Sequence, residues 1–245
     1  MRFGVKSDKG IVREVNEDSY NVLAGYSNVP VSFIIADGMG GHNSGEIASQ
    51  TAVNYISNYI MENPSDFCEE GRISQAILQA VRNTNSRVYE LSLANQENSG
   101  MGTTFILAVV CNKRLYIGHV GDSRVYLLRD GIIEQITTDH SYIEELVRTG
   151  SISREEAQNH PKKNLITRAL GCGIDVEVDL YTCNIKENDI YLLCTDGLTN
   201  LVDENDIKQI LESQDDPEEA CGKLVELANS RGGDDNVTVI VFKNG

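Results

Sequence analysis

The stretch that most constrains the fold is residues 103–137, "TTFILAVVCNKRLYIGHVGDSRVYLLRDGIIEQIT". Runs rich in β-branched and aromatic residues, 103–111, 115–121 and 123–137, follow one another with only short polar breaks. Asp130-Gly131 divides the last run into a hairpin, because both residue types tolerate the positive φ that a tight turn demands. Parallel neighbours need a crossover of about a dozen residues or more, so breaks this short favour antiparallel pairing. Further strands are expected at 31–36, 175–182, 189–195 and 236–242, and in "SYNVL" at 19–23.

Helical periodicity comes in two groups. In 44–61, Ile47, Thr51, Tyr55 and Tyr59 share a face; in 72–94, Ile73, Ile77, Ala80, Val81, Val88 and Leu91 do the same. A second pair covers 203–212 and 217–230, with Asp203 and Asp216-Pro217 as starting signals. Each pair has one apolar face to bury. The pattern predicts an α+β fold, a four-layer α-β-β-α sandwich of two mostly antiparallel sheets with a helix pair outside each. Segment 139–170 differs: it is polar, carries two short helical patterns around Thr149-Gly150-Ser151 and no strand, and interrupts the run of strands. It is expected to be a flap-like insertion. Four prolines and no low-complexity stretch suggest one domain over 1–245.

Lys plus Arg number 21 against 37 Asp plus Glu, a formal charge of −16. This argues against a nucleic-acid partner. No window holds the ~18 apolar residues of a membrane span, and "MRFGVKSDKG" lacks the apolar core of a signal peptide. A cytoplasmic, soluble protein is expected. The six cysteines form no C-x-x-C pair, and Cys111 and Cys194 sit in apolar runs, which favours reduced thiols over disulfides or zinc.

Carboxylates recur where strands meet glycine turns: Asp37 in "ADGMGG", Asp122 in "HVGDSR", Asp196 in "LLCTDGL", Asp234 and Asp235 in "RGGDDNV", and Glu17-Asp18 before "SYNVL". One Asp-Gly alone is usually only a turn. Converging carboxylates, however, would repel one another unless cations neutralised them. Hard divalent ions such as Mg²⁺ or Mn²⁺ prefer oxygen ligands and keep several waters. Two ions ~3.5–4 Å apart would activate a water between them for attack on phosphorus.

The ordered set "REVNEDS", "ADGMGGHNSGEIAS", "GMGTT", "VGDSRVYLLRDG", "TTDHS", "NHPKKNLITRALG", "CTDGLTNLV" and "GGDDNVTVIV" resembles the metal-dependent type 2C protein phosphatases, most of all their compact bacterial members. The likeness runs through essentially the whole chain. It implies an α-β-β-α sandwich and hydrolysis of phosphoserine and phosphothreonine on proteins by metal-activated water, with no phosphoenzyme. By that resemblance Asp37 would bridge two Mg²⁺ or Mn²⁺ ions and Gly38 would offer its carbonyl. Asp196 and Asp235 would complete the second ion's ligands, and Glu17 and Asp18 would contact metal-bound waters. Asp122, with Asp196, would hold a weaker third ion. Arg13 would bind the phosphate, which suits a guanidinium fork.

One departure concerns the proton donor. Many eukaryotic relatives carry a histidine where Met39 stands, and Met39 has no proton to give. His42 is the nearest candidate catalytic acid, in competition with a metal-bound water or with a mere capping role for His42. His119 reads as a sheet histidine, His160 as structural, and Lys162 and Lys163 as a solvated basic pair. Expected partners are phosphorylated proteins, including a serine/threonine kinase and its substrates; the chain is expected to act as a monomer without membrane insertion. The alternative from another class is a phosphoprotein-binding regulatory module with weak or no catalysis.

Overall fold

The computed structural model describes residues 1–40, 44–158, 160–162 and 164–244. It contains two sheets. In chain order the strands are β1 (Arg2–Asp8), β2 (Asp18–Leu23), β3 (Ser32–Met39), β4 (Gly102–Thr103), β5 (Phe105–Cys111), β6 (Arg114–Val120), β7 (Arg124–Arg129), β8 (Ile132–Gln135), β9 (Asp179–Asn184), β10 (Ile190–Cys194) and β11 (Val237–Lys243). The helices are α1 (Ser44–Glu62), α2 (Ile73–Ala94), α3 (Tyr142–Arg148), α4 (Arg154–Gln158), α5 (Asp196–Thr199), α6 (Glu204–Ser213) and α7 (Pro217–Ser230). One sheet runs β1-β11-β10-β7-β8, the other β2-β3-β5-β6-β9 with β4 paired to β3. The strand pairs are antiparallel.

The layering matches the expectation. Ile56, Ile77 and Val81 of the first helix pair pack on Ile34, Leu107 and Tyr116. Ile207, Leu211, Leu224 and Ala228 pack on Leu192, Val239 and Val241 of the other sheet. Between the sheets, Phe33 and Phe242 stack at 4.4 Å, and Tyr191 joins Phe242 at 4.7 Å. Each fully buried side chain of this size contributes about 1.5–3 kcal/mol.

Local chemistry set the element ends. Asp130 and Gly131 both have positive φ (52° and 73°), as do Asn112 and Lys113 (50° and 60°), so both hairpins close through two left-handed residues. Asp203 caps α6 by accepting from the amides of Asn205 and Asp206, and Asp216 caps α7 through Glu218.

Several features depart from the sequence expectation: α1 buries Ala48, Ala52, Ile56 and Ile60 and leaves Ile47 40% exposed, and the strand expected at 175–182 begins only at Asp179. β1 was not anticipated, because only Phe3 and Val5 alternate within a polar stretch. β3 does not stop at Ala36: Asp37, Gly38 and Met39 continue the strand, and the last two pair with the two-residue β4. The run 103–137 is not one meander. β6 and β7 are separated by only Gly121-Asp122-Ser123, yet they lie in different sheets. Gly121, at φ +108°, makes that crossing possible. In 139–170, α3 and α4 flank Thr149-Gly150-Ser151, and the strand-like pairing among the described residues is limited to two bridges, Ser141 with Ile166 and Leu170 with Thr103.

Candidate metal centre

β2, β3, the β6–β7 crossing, the start of α5 and the loop before β11 all deliver an acid to one end of the sandwich. Asp18 and Asp37 stand opposite each other across β2 and β3. Directly opposed like charges destabilise a strand pair, so the surroundings must hold them. The Asp37 backbone is fixed on both sides: its N–H donates to Thr104 Oγ1 (2.9 Å), and its carbonyl accepts from Thr104 N and Thr103 Oγ1 (both 2.9 Å). Asp18 Oδ2 accepts from Thr238 Oγ1 (2.7 Å) and Thr195 Oγ1 (3.0 Å). Asp196 opens α5 and accepts from Asn200 Nδ2 (3.0 Å). Asp235 pairs with Arg13 at 2.8 Å.

Gly38 is required by space. A Cβ there would lie 2.1 Å from the Gly45 carbonyl oxygen and 2.6 Å from that of Glu17. The Gly38 N–H donates to the same Glu17 oxygen at 3.1 Å. The Glu17 carboxylate reaches the N-terminal turn of α1, where a Cβ on Gly45 would meet Glu17 Oε1 at 2.5 Å.

The electrostatics are those of an unneutralised cluster. Burial raises the Asp37 carboxyl well above its ordinary value, and Asp18, Asp196, Asp122 and Asp235 push it further. Burial likewise carries Asp18 to about 7 and Asp122 to about 8, with Asp196 adding to both. Asp196 is raised by burial and then by Asp235. Burial raises Glu17 against the opposing charge of Arg13. Glu17 Oε1 and Asp18 Oδ1 are buried without a hydrogen-bond partner among the described residues. Unpartnered, mutually repelling carboxylate oxygens fit cations as their missing partners. Among the described residues no three His, Cys, Asp or Glu side chains close into a ready cage. Carboxylate oxygens suit Mg²⁺ or Mn²⁺, which bind through one or two carboxylates and keep much of their water.

Of the residues singled out from the sequence, Arg13, Glu17, Asp18, Asp37, Gly38, Asp122, Asp196 and Asp235 thus gather at one end of the sandwich. His42 and Lys163 lie outside the described residues. His119 is fully buried in β6, with Nε2 2.9 Å from the Ser123 carbonyl. His160 Nδ1 accepts from Lys162 N at 3.2 Å. The six thiols are free. Not all of the supporting residues were foreseen. Asn236 accepts from Glu17 N (2.8 Å) and donates to the carbonyls of Lys9 and Val15 (both 2.9 Å), fastening the Arg13 segment to the loop that carries Asp235. Its position directly after Asp235 was the available signal, and the motif "GMGTT" was the signal for Thr104; Thr195 and Thr238 gave none.

Beside the acids lies a cavity of about 1020 Å³ between α3–α4 and the α5–α6 turn, lined by Arg124, Asp139, Glu144, Asn200, Asp203 and Arg231 among others. Asn200 connects it to Asp196.

A two-sheet sandwich flanked by helices, with acids converging at one end, defines a metal-dependent hydrolase type of site. The family model for protein phosphatase 2C matches residues 11–229. The serine/threonine phosphatase stp of Listeria monocytogenes serotype 4b is 40% identical over 243 residues, covering 99% of this chain and 96% of that protein. The crystal structure of the Mycobacterium tuberculosis serine/threonine phosphatase PstP/Ppp superposes with a TM-score of 0.87 at 39% identity, covering 98% of this chain and 97% of that one. The catalytic domain of PstP in complex with 2 manganese ions gives 0.85 at 38% identity, over 98% and 96% of the two chains. The chain belongs to the protein phosphatase 2C family.

Proposed function

We infer that the chain is a metal-dependent protein serine/threonine phosphatase, acting on phosphoserine and phosphothreonine in proteins as a single catalytic domain whose 139–170 segment serves as a flap. The observation that carries this is the buried acid cluster with orphaned oxygens on Glu17 and Asp18. The names of the relatives and the two manganese ions in the PstP complex support it.

Asp37 would bridge two ions, with the Gly38 carbonyl on one and Asp196 and Asp235 on the other. Glu17 and Asp18 would act through waters, and Asp122 with Asp196 would take a third, weaker ion. Bound there, Mg²⁺ or Mn²⁺ neutralises the acids and lowers the pKa of water for attack on phosphorus. The chain's own work is positioning. Thr103 and Thr104 clamp the Asp37 backbone, Thr195 and Thr238 aim Asp18, and Asn200 aims Asp196. Arg13, with its side chain 47% exposed, can turn from Asp235 towards a phosphate dianion. The leaving alkoxide takes its proton from His42 or from water, since Met39 has none. The 1020 Å³ cavity gives room for the residues flanking the phosphate.

Among the described residues no helix is long and apolar enough to cross a membrane. The proposed partners are a serine/threonine kinase and its substrates, met in the cytoplasm by a monomer. The decisive assay is p-nitrophenyl phosphate with Mn²⁺. Hydrolysis should require the metal, vanish in EDTA and vanish in Asp37→Ala; full turnover in EDTA would sink the proposal.

A further inference from the structure

Asp122 sits in the three-residue crossing between the two sheets, and the residue before it, Gly121, has the widest backbone freedom of any residue type. Something must fix that backbone if the Asp122 carboxylate is to point one way. Thr104 bounds it on one side: a Cβ on Gly121 would lie 2.6 Å from Thr104 Cβ, and Thr104 is the residue that holds Asp37. On the other side is His140. Its backbone N–H donates to the Gly121 carbonyl at 2.8 Å, and its ring Nδ1 accepts from the Gly121 N–H at 3.0 Å. Both polar groups of the Gly121 backbone are therefore engaged by one residue.

The tautomer follows from chemistry. A backbone N–H can only donate, so Nδ1 must be the acceptor and the ring proton sits on Nε2. That nitrogen lies between Arg168 Nη1 at 3.0 Å and Asp179 Oδ2 at 3.3 Å, and the carboxylate is the partner that can accept its proton. Arg168 braces the same carboxylate, with Nη1 2.8 Å from Asp179 Oδ1. The His140 ring also lies against His119 at 4.8 Å, and His119 is bonded to the Ser123 carbonyl on the far side of Asp122. His140 also starts the flap segment: its carbonyl accepts from Thr167 N, and Ser141 caps α3.

We propose that His140 is a positioning residue for Asp122: its Nδ1 locks the Gly121 peptide and thereby fixes the carboxylate that would hold the weaker third cation. The inference rests on the assignment of Asp122 as a cation ligand made above. Outer residues that orient ligands typically tune metal affinity ~10–100-fold.

Two replacements separate the ring's two nitrogens. Asparagine places an acceptor near the Nδ1 position and loses the Nε2 contact; glutamine reaches towards the Nε2 position and loses the Nδ1 acceptor. Mn²⁺ is titrated calorimetrically into metal-stripped wild type, His140→Asn, His140→Gln and Asp122→Ala, and amide exchange is followed across 119–123. His140→Gln should weaken the weakest class of Mn²⁺ sites about tenfold and lose protection at Gly121. His140→Asn should stay within about threefold of wild type and keep that protection. Equal losses in both would reveal a merely structural histidine and overturn the proposal. An unchanged His140→Gln titration, with Asp122→Ala lacking the weakest sites, would overturn it alone. An unchanged Asp122→Ala titration would overturn it together with the assignment of Asp122. Should position 140 refuse polar replacements, Asp179→Asn leaves the Nδ1 bond intact and should bind Mn²⁺ within about threefold of wild type, while a tenfold loss there refutes the role of Nδ1.

Discussion

Replacing Asp18 with asparagine should stabilise the metal-stripped protein and diminish what the metal can add. Asp18 is 8% exposed, faces Asp37 across β2 and β3, and has one oxygen without a partner. Burial, and beyond it Asp196 and Asp235, hold its carboxyl at about 7 against an ordinary 3.8, despite the hydrogen bonds from Thr238 and Thr195. The folded chain thus binds this proton more tightly than the unfolded chain does. The stability tied to that proton is fully present below about 3.8 and is lost as pH rises through about 7. At pH 8 the charged form costs up to about 4 kcal/mol. Water entry and proton sharing with Asp37 reduce this to about 2 kcal/mol. Asparagine carries no charge, and its carbonyl can still accept from both threonines while its amide faces Asp37. For a chain of this length ~2 kcal/mol is about 4–8 °C in Tm. Thermal unfolding in EDTA at pH 8 should show that gain, shrinking by about half at pH 5.5 and vanishing near pH 4. In saturating Mn²⁺ the order should reverse, because the variant has lost a partner for the ion's water. A lower Tm for the variant in EDTA at pH 8, or a gain that does not shrink on acidification, would refute the reasoning.

Other outcomes follow from the same geometry. Gly38→Ala places a Cβ 2.1 Å from a backbone oxygen with no flexible side chain to yield, so Tm should fall by about 6–12 °C, corresponding to about 3 kcal/mol; a fall under about 2 °C would show that β3 can shift. Asn236→Ala removes three hydrogen bonds to the 9–17 segment and should cost about 2–3 kcal/mol in chemical denaturation. Because that segment carries Arg13, the variant's KM for a phosphopeptide should rise more than its half-saturating Mn²⁺. Arg13→Ala should raise that KM by about 10-fold or more, as expected for a lost charge-assisted hydrogen bond, with a smaller effect on Mn²⁺ binding measured by calorimetry.

Much of this architecture could be read before any coordinates. Asp203 and Asp216-Pro217 announced α6 and α7 because a cap needs a short acceptor side chain and a first-turn proline loses nothing. Asp130-Gly131 announced a hairpin because few residue pairs tolerate its φ values. The β6–β7 crossing was illegible for the opposite reason: a short break normally means a hairpin, and only the strand order shows that the chain changes sheets there. At the site, the acids were visible because glycines crowd around them. Gly38 stood out for the carbonyl it would offer; it lies within a strand and is small because the Gly45 carbonyl leaves no room. Thr195 and Thr238 were invisible because they are 177 and 220 residues from Asp18 in sequence; the β10–β11 pairing brings them together, and the stacking of the two sheets sets them against Asp18.

The central claim is that the acids around Asp37 form a cation site. Anomalous diffraction from crystals grown with Mn²⁺ tests it most directly. The account predicts two strong manganese peaks flanking the Asp37 carboxylate, one towards the Gly38 carbonyl and one towards Asp196 and Asp235, with a weaker third between Asp122 and Asp196. Manganese density absent from Asp37, in protein that hydrolyses p-nitrophenyl phosphate, would contradict it.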